Sequence, residues 1–276
     1  MGTISAGYVL QPSSYVRTLT KAANSDIPHE MIMAFIDQLH NDKPTLKACS
    51  LVCKAWTHPA RLHLLSTVTV QKPLQPAVFP YVRHLNLRIG VNEASIWDEI
   101  MTLLVGFHRI VSLNIVLPFS YPPDLMNAQS WSTLGENFSA VTSLCFESES
   151  SRFVFDNATS FARMVCAFPR LQKLRMRSTV LSTSTAALQA ELPSATTLRL
   201  SPDFHTLDIG HNGIGVVLDW LLSLPTPPAL RHIYLSNIED GDLAAFHKFI
   251  RVLGDGLESV MLVASSQDCM CTDLIR

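Results

Sequence analysis

Along residues 27–68 the apolar positions recur with the period of a helix, and from about residue 70 onward with the period of a strand. Met31, Ile32, Phe35, Ile36 and Leu39 follow an i, i+1, i+4, i+5, i+8 pattern that predicts an amphipathic helix. Asp26 is placed to cap it, Pro28 falls in its first turn, and Glu30 lies near the positive end of its dipole. "HNDKP" interrupts the pattern, and a second helix is expected from about Thr45 through "LKACSLVCKAW". In that helix Leu46, Cys49 and Cys53 share one side and Val52 and Trp56 an adjoining one, and two apolar stripes require two neighbours. A shorter helical piece around Pro59 to Leu65 precedes the β-branched "STVTV".

Beyond it an apolar-polar-apolar strand keeps returning: "HLNL", "SLNI", "SLCF", "KLRM", "TLRL", "TLDI", "HIYL" and "SVML". Counted between first apolar residues, the steps from Leu85 through Leu113 and Leu144 to Leu174 are 28, 31 and 30 residues. The next are 24 to Leu198 and 9 to Leu207, followed by 26 to Ile233 and 27 to Val260. "FPYVRHL", "FPRLQKL" and "LPSATTL" introduce strands with one shared phrase. Helix-like spacers such as "SIWDEIMTLLVGFH", "NATSFARMVCAF", "GIGVVLDWLLSL" and "GDLAAFHKFIRVLG" separate them. A strand plus a helix at this period is the signature of a leucine-rich-repeat solenoid, whose units bury their apolar faces only by stacking on each other. A βαβ sheet domain shows the same alternation, but strands buried on both faces tend to be unbroken apolar runs. The expected fold is therefore α/β, a helical module over 27–68 followed by an irregular leucine-rich-repeat-like strand/helix solenoid over 69–265. Residues 1–26 read as a mobile lead-in and 266–276 as a tail too short for another unit, which leaves the last repeat exposed.

Composition narrows the function. The 276 residues are 47% hydrophobic and 16% charged with a formal net charge of -2 and no Lys/Arg run, so no nucleic acid or anionic membrane is expected as a partner. No apolar stretch approaches a membrane span, and the N-terminus has neither a secretory pattern nor the Ser or Thr that myristoylation needs, since Ala6 stands there. That points to the cytoplasm and/or the nucleus. The 6 cysteines then read as reduced thiols.

Residues 27 to about 68 resemble an F-box, in the version common in fungal proteins, through Ile27, Pro28, Glu30, Ile32, Ile36 and Leu39, then Leu46, Ser50, Leu51, Val52, Cys53 and Trp56, and the trailing Leu65. The resemblance implies a three-helix docking module that binds the Skp-type adaptor of a cullin-RING ubiquitin ligase, with the repeat array presenting an unknown protein substrate. It implies a non-catalytic receptor without cofactor or metal. Carried over by position, Ile27, Pro28, Glu30, Met31, Ile32, Leu51, Val52 and Trp56 face the adaptor. Phe35, Ile36, Leu39, Leu46, Cys49 and Cys53 close the internal core. The alternative is an F-box chain that acts as a protein-binding scaffold outside any ligase.

On the array, Arg83, Asn86, Asn114, Arg175, Arg199, His232 and Tyr234 alternate with core positions and are the candidate substrate contacts. Competing chemistry is weak. "TLDIGHNGIGVVLDWLLSL" reads strand, glycines, helix, but its spacing is GxxGxG, and His205, Asp208 and His211 beside it are explained by turn polarity. Cys49 and Cys53 with His58 or His63 lack the spacing of a zinc site, and "CMC" at 269–271 fits a tail. Trp97, Trp131 and Trp220 are expected in the core.

Overall fold

The computed structural model describes residues 27–70, 76–88, 101–102, 104–117, 128–148, 153–155, 158–177, 179–181, 198–210 and 213–264. The expected lead-in at 1–26 with its Asp26 cap, Trp97, His211, the 266–276 tail and most of "LPSATTL" lie outside the described residues. The chain divides into two compact units, with the boundary after Ser66.

The first unit holds three helices, α1 (His29–Gln38), α2 (Lys43–Val52) and α3 (Lys54–Leu64). Pro28 starts α1 at φ -54° and ψ 144°, so its backbone is not yet helical while its carbonyl already accepts from the Met31 and Ile32 amides. Asp42 caps α2, with Thr45 N–H donating to Oδ1 at 3.1 Å and Thr45 Oγ1 donating to Oδ2 at 2.6 Å. Those two bonds hold the Asp42 carboxyl below its usual range.

"LKACSLVCKAW" is not one helix. Cys53 is extended at φ -162° and ψ 170°, ending α2 and opening α3. Thr57 Oγ1 lies 2.9 Å from both the Ser50 and the Cys53 carbonyls, so one hydroxyl ties the two helices across the break. Cys49 and Cys53 therefore do not share a helix face. Ile32, Ile36, Leu46, Cys49 and Ala60 form the buried core of this unit, with Leu39, Trp56 and Leu64 packed against it.

In the second unit β1 (Thr67–Val70), β2 (His84–Arg88), β3 (Ser112–Leu117), β4 (Ser143–Ser148), β6 (Lys173–Arg177), β8 (Thr206–Gly210), β9 (His232–Ile238) and β10 (Ser259–Ala264) build one sheet. β5 (Phe153–Phe155) and β7 (Thr179–Leu181) form a separate parallel pair. The 8 strands of the main sheet are all parallel and lie in sequence order. A doubly wound sheet reverses direction at a switch point, and this order has none, so the doubly wound alternative fails, and an in-order parallel sheet is what stacked repeats build.

Register explains why the pattern repeats. Leu85, Leu113, Leu144, Leu174, Leu207, Ile233 and Val260 stand opposite one another across the strands. Leu87, Ile115, Phe146, Met176, Ile209, Leu235 and Leu262 form a second row in the same way. From Leu85 through Leu235 these residues are at most 4% exposed. They pack into one core with residues of α4 (Ala128–Asn137), α5 (Ala158–Cys166), α6 (Ile214–Ser223) and α7 (Leu243–Leu253). The ring of Phe146 on β4 meets Trp131 on α4 edge-on at 5.5 Å, and Phe161 on α5 meets Trp220 on α6 at 5.4 Å. Each unit thus completes its core with residues of the next.

The residues just before the strands bind the units through their backbones. The Arg83 carbonyl accepts from Val111 and Ser112, Val111 from Thr142 and Ser143, and Thr142 from Gln172 and Lys173. Gln172, His205 and Arg231 continue the ladder to Glu258 and Ser259. "TLRL" is a correction: residues 198–200 are not a strand, and β6 pairs directly with β8, so the step from Leu174 to Leu207 is one unit of 33 residues. Leu198 and Leu200 still pack against the core, which is why their alternation imitated a strand.

Candidate binding faces

The first unit exposes apolar side chains that its own core does not use. Ile27 is 44% exposed, Met31 63%, Phe35 52%, Leu51 86% and Val52 52%. Met31 and Phe35 lie four residues apart, about one helical turn, so they share one edge of α1, and Ile27 lies just before the Pro28 that starts the helix. The Phe35 ring lies 5.5 Å from that of half-buried Trp56, in the first turn of α3. The Trp56 amide donates to the Cys53 carbonyl at 3.1 Å, and Val52 and Leu51 immediately precede Cys53. The apolar edge therefore runs from α1 through Trp56 to the α2–α3 junction. These are large apolar groups left exposed on a small unit.

Most residues assigned to adaptor contact sit here, with two exchanges. Ile27, Pro28, Glu30, Met31, Leu51 and Val52 are exposed, and Trp56 is half-buried. Ile32, assigned to the outside, is 6% exposed and belongs to the core, one turn before Ile36. Phe35, assigned to the core, is outside.

The second face is the strand surface opposite the helices. Its central row runs Thr69, Asn86, Asn114, Cys145, Arg175, Asp208, Tyr234 and Met261, each facing the next across the sheet. Asn86, Asn114, Arg175, His232 and Tyr234 lie on this face as expected, and Asn114 Oδ1 has no hydrogen-bond partner among the described residues. Arg83 and Arg199 are corrections. Arg83 is exposed just before β2, outside the strand row, and its carbonyl joins units. Arg199 lies in the 198–200 segment, where it lines a cleft of about 760 Å³ with Glu136 of α4 and Arg163 of α5.

Arg175 Nε donates to Asp208 Oδ2 at 2.6 Å across neighbouring strands, and Arg177 stands 3.9 Å from Glu147. At the strand starts the His205 and His232 rings meet edge-on with centroids 6.3 Å apart. Partial burial holds the His205 pKa below its usual value, and the charges of Lys173, Arg231 and His232 push the same way.

The competing chemistries fare poorly against this geometry. Gly213, at φ 97°, turns the chain into α6, and the Gly215 amide in the first turn donates to Asp242 Oδ1 at 2.7 Å. An anion from the chain itself thus occupies the position a nucleotide phosphate would need. Burial pushes the Cys145 thiol up to about 11 and Cys166 to about 12, so neither is a thiolate nucleophile near neutral pH. Among the described residues no group of three or more His, Cys, Asp or Glu side chains is placed to hold a metal, and no helix is long and apolar enough to cross a membrane.

No family model matches the chain, and no curated protein matches it. Among solved structures it is similar to one described as the crystal structure of a TLR13–ssRNA13 complex, at 15% identity and a TM-score of 0.40. That match covers 74% of this chain and 26% of the other, so this chain spans about a quarter of the structure it resembles. What the strand order establishes is an α/β repeat array, joined in sequence to a three-helix unit with exposed apolar side chains; among the described residues the strand face opposite the helices carries exposed side chains such as Arg175, Arg177, Met261 and Val263.

Proposed function

We propose that this chain is the substrate-recognition subunit of a Skp/cullin/F-box ubiquitin ligase. Its helical unit docks on the Skp-type adaptor and the open face of its sheet holds the target protein. The observation that carries this reading is the outer edge of the helical unit, where Ile27, Met31, Phe35, Leu51 and Val52 are all at least 44% exposed. The F-box resemblance spans the same stretch and implies that Ile27, Met31, Leu51 and Val52 meet the adaptor, with Phe35 beside them. The chain performs no chemistry in this reading. It raises the local concentration of a target beside catalytic groups carried by other subunits, in the cytoplasm or nucleus.

Recovering the tagged chain from cells and probing for both the adaptor and a cullin tests the assignment. Adaptor and cullin together support a ligase receptor. Adaptor without cullin would turn the assignment to a scaffold, and neither would refute both.

A further inference from the structure

The open face of the sheet is uneven, and the unevenness describes a partner. Its charge gathers on β6, where Lys173, Arg175 and Arg177 occupy alternate positions on the same face. Arg175 is engaged by Asp208 at 2.6 Å, whereas Arg177 keeps Glu147 only at 3.9 Å. No ion pair among the described residues engages Lys173, whose neighbours in register are Ser143 and Thr206. Arg88 is the other cation on the described open-face strand positions, against the carboxylates of Glu147 and Asp208. Among the described strand positions, the local excess of positive charge is therefore on β6, although the whole chain sums to -2.

Toward the last strand the same face turns apolar. Met261 is 49% exposed and Val263 43%, with Tyr234 of β9 directly opposite Met261. On the other side of that strand, Val260 and Leu262 are only partly buried, so the apolar character is concentrated at this end.

Resting on the reading of the open face as the target-binding surface, we propose that it takes an extended protein segment carrying an apolar anchor residue and an acidic residue. The apolar side chain seats on Tyr234, Met261 and Val263, and the carboxylate meets Lys173 and Arg177. β6 and β10 are three strand steps apart, with β8 and β9 between them. At ~4.8 Å per step and ~3.3 Å per extended residue, the anchor and the acid lie about four residues apart. A charge-matched partner of this kind gains orientation and encounter rate more than raw affinity, which suits a receptor that must release its target.

The test is selection of random peptides displayed on phage against the full chain. It runs in parallel on two variants, Met261→Asp and Lys173→Glu/Arg177→Glu, all of them exposed positions, with the helical signal of each checked. Peptides enriched on the wild type and lost on both variants are expected to pair an apolar residue with Asp or Glu about four positions away. Their affinity should fall about fivefold or more on either variant, and the doubly reversed variant should select basic peptides instead. Lost peptides without an acidic excess, or none lost at all, would overturn the proposal. Adaptor capture measured on the same preparations reports the helical unit separately, so either half can fail alone.

Discussion

Asp242 is the side chain whose removal best tests how the repeats hold together. It is 8% exposed, in the short turn Asp240–Asp242 just before α7. Its Oδ1 accepts the Gly215 amide of the preceding unit at 2.7 Å, and its Oδ2 accepts the Glu239 amide at 3.1 Å. Asp242→Ala leaves two amides without partners at the start of α6 and in the turn. Bonds to a charged group are worth about 1.5–3 kcal/mol each, and water entering the vacated space recovers part, so the loss should be about 2–4 kcal/mol. Asp242→Asn should recover less than half of it, since one oxygen is kept while an NH₂ group is set against an N–H. Urea unfolding gives the free energy, and hydrogen exchange over residues 213–224 locates it, with opening raised about thirtyfold or more at the low end of that range. A change below about 0.5 kcal/mol, within the range of ordinary surface substitutions, would show that the Asp242 cap does not secure α6.

Three more substitutions follow from the same core. Leu144→Ala, at a fully buried position in the core row of β4, should cost about 2–5 kcal/mol in urea unfolding without changing the fold seen by circular dichroism. Gly135→Ala on α4 would set a methyl group against the Ala167 carbonyl just past α5, and should cost about 1–3 kcal/mol. His205 is held below the ordinary histidine value of about 6.5 in the folded chain, so the unfolded chain binds the extra proton first. Stability should therefore decline as the pH falls below that value, and His205→Gln should flatten this part of the profile in denaturation followed across pH 7 to 5.

The strand array was legible because register repeats one alternation in every unit, so each strand is independent evidence for the others. Where only a few residues spoke, the reading slipped. "TLRL" has the alternation but leaves five residues before the next strand, too few for a helix, and packing of Leu198 and Leu200 without pairing resolves it. The break at Cys53 has no Gly or Pro to announce it, and is fixed by Thr57 reaching back to Ser50. The exchange of Ile32 and Phe35 has the same root. Period 3.6 places both on the apolar side of α1, but only the position of α2 and α3 decides which half of a wide stripe is covered. The Asp42 cap, with its Thr45 partner three residues on, is written locally in "HNDKPT". The Asp242 cap is not, because its partner Gly215 lies 27 residues away.

The claim that the helical unit is a docking module meets its most direct test in binding of a purified Skp-type adaptor to the full chain by titration calorimetry, beside Leu51→Asp. Leu51 is 86% exposed, so the substitution should leave the unfolding midpoint unchanged while abolishing or weakening adaptor binding by more than about tenfold. Wild-type protein that gives no heat, or a variant that binds as well as the wild type, would contradict the account.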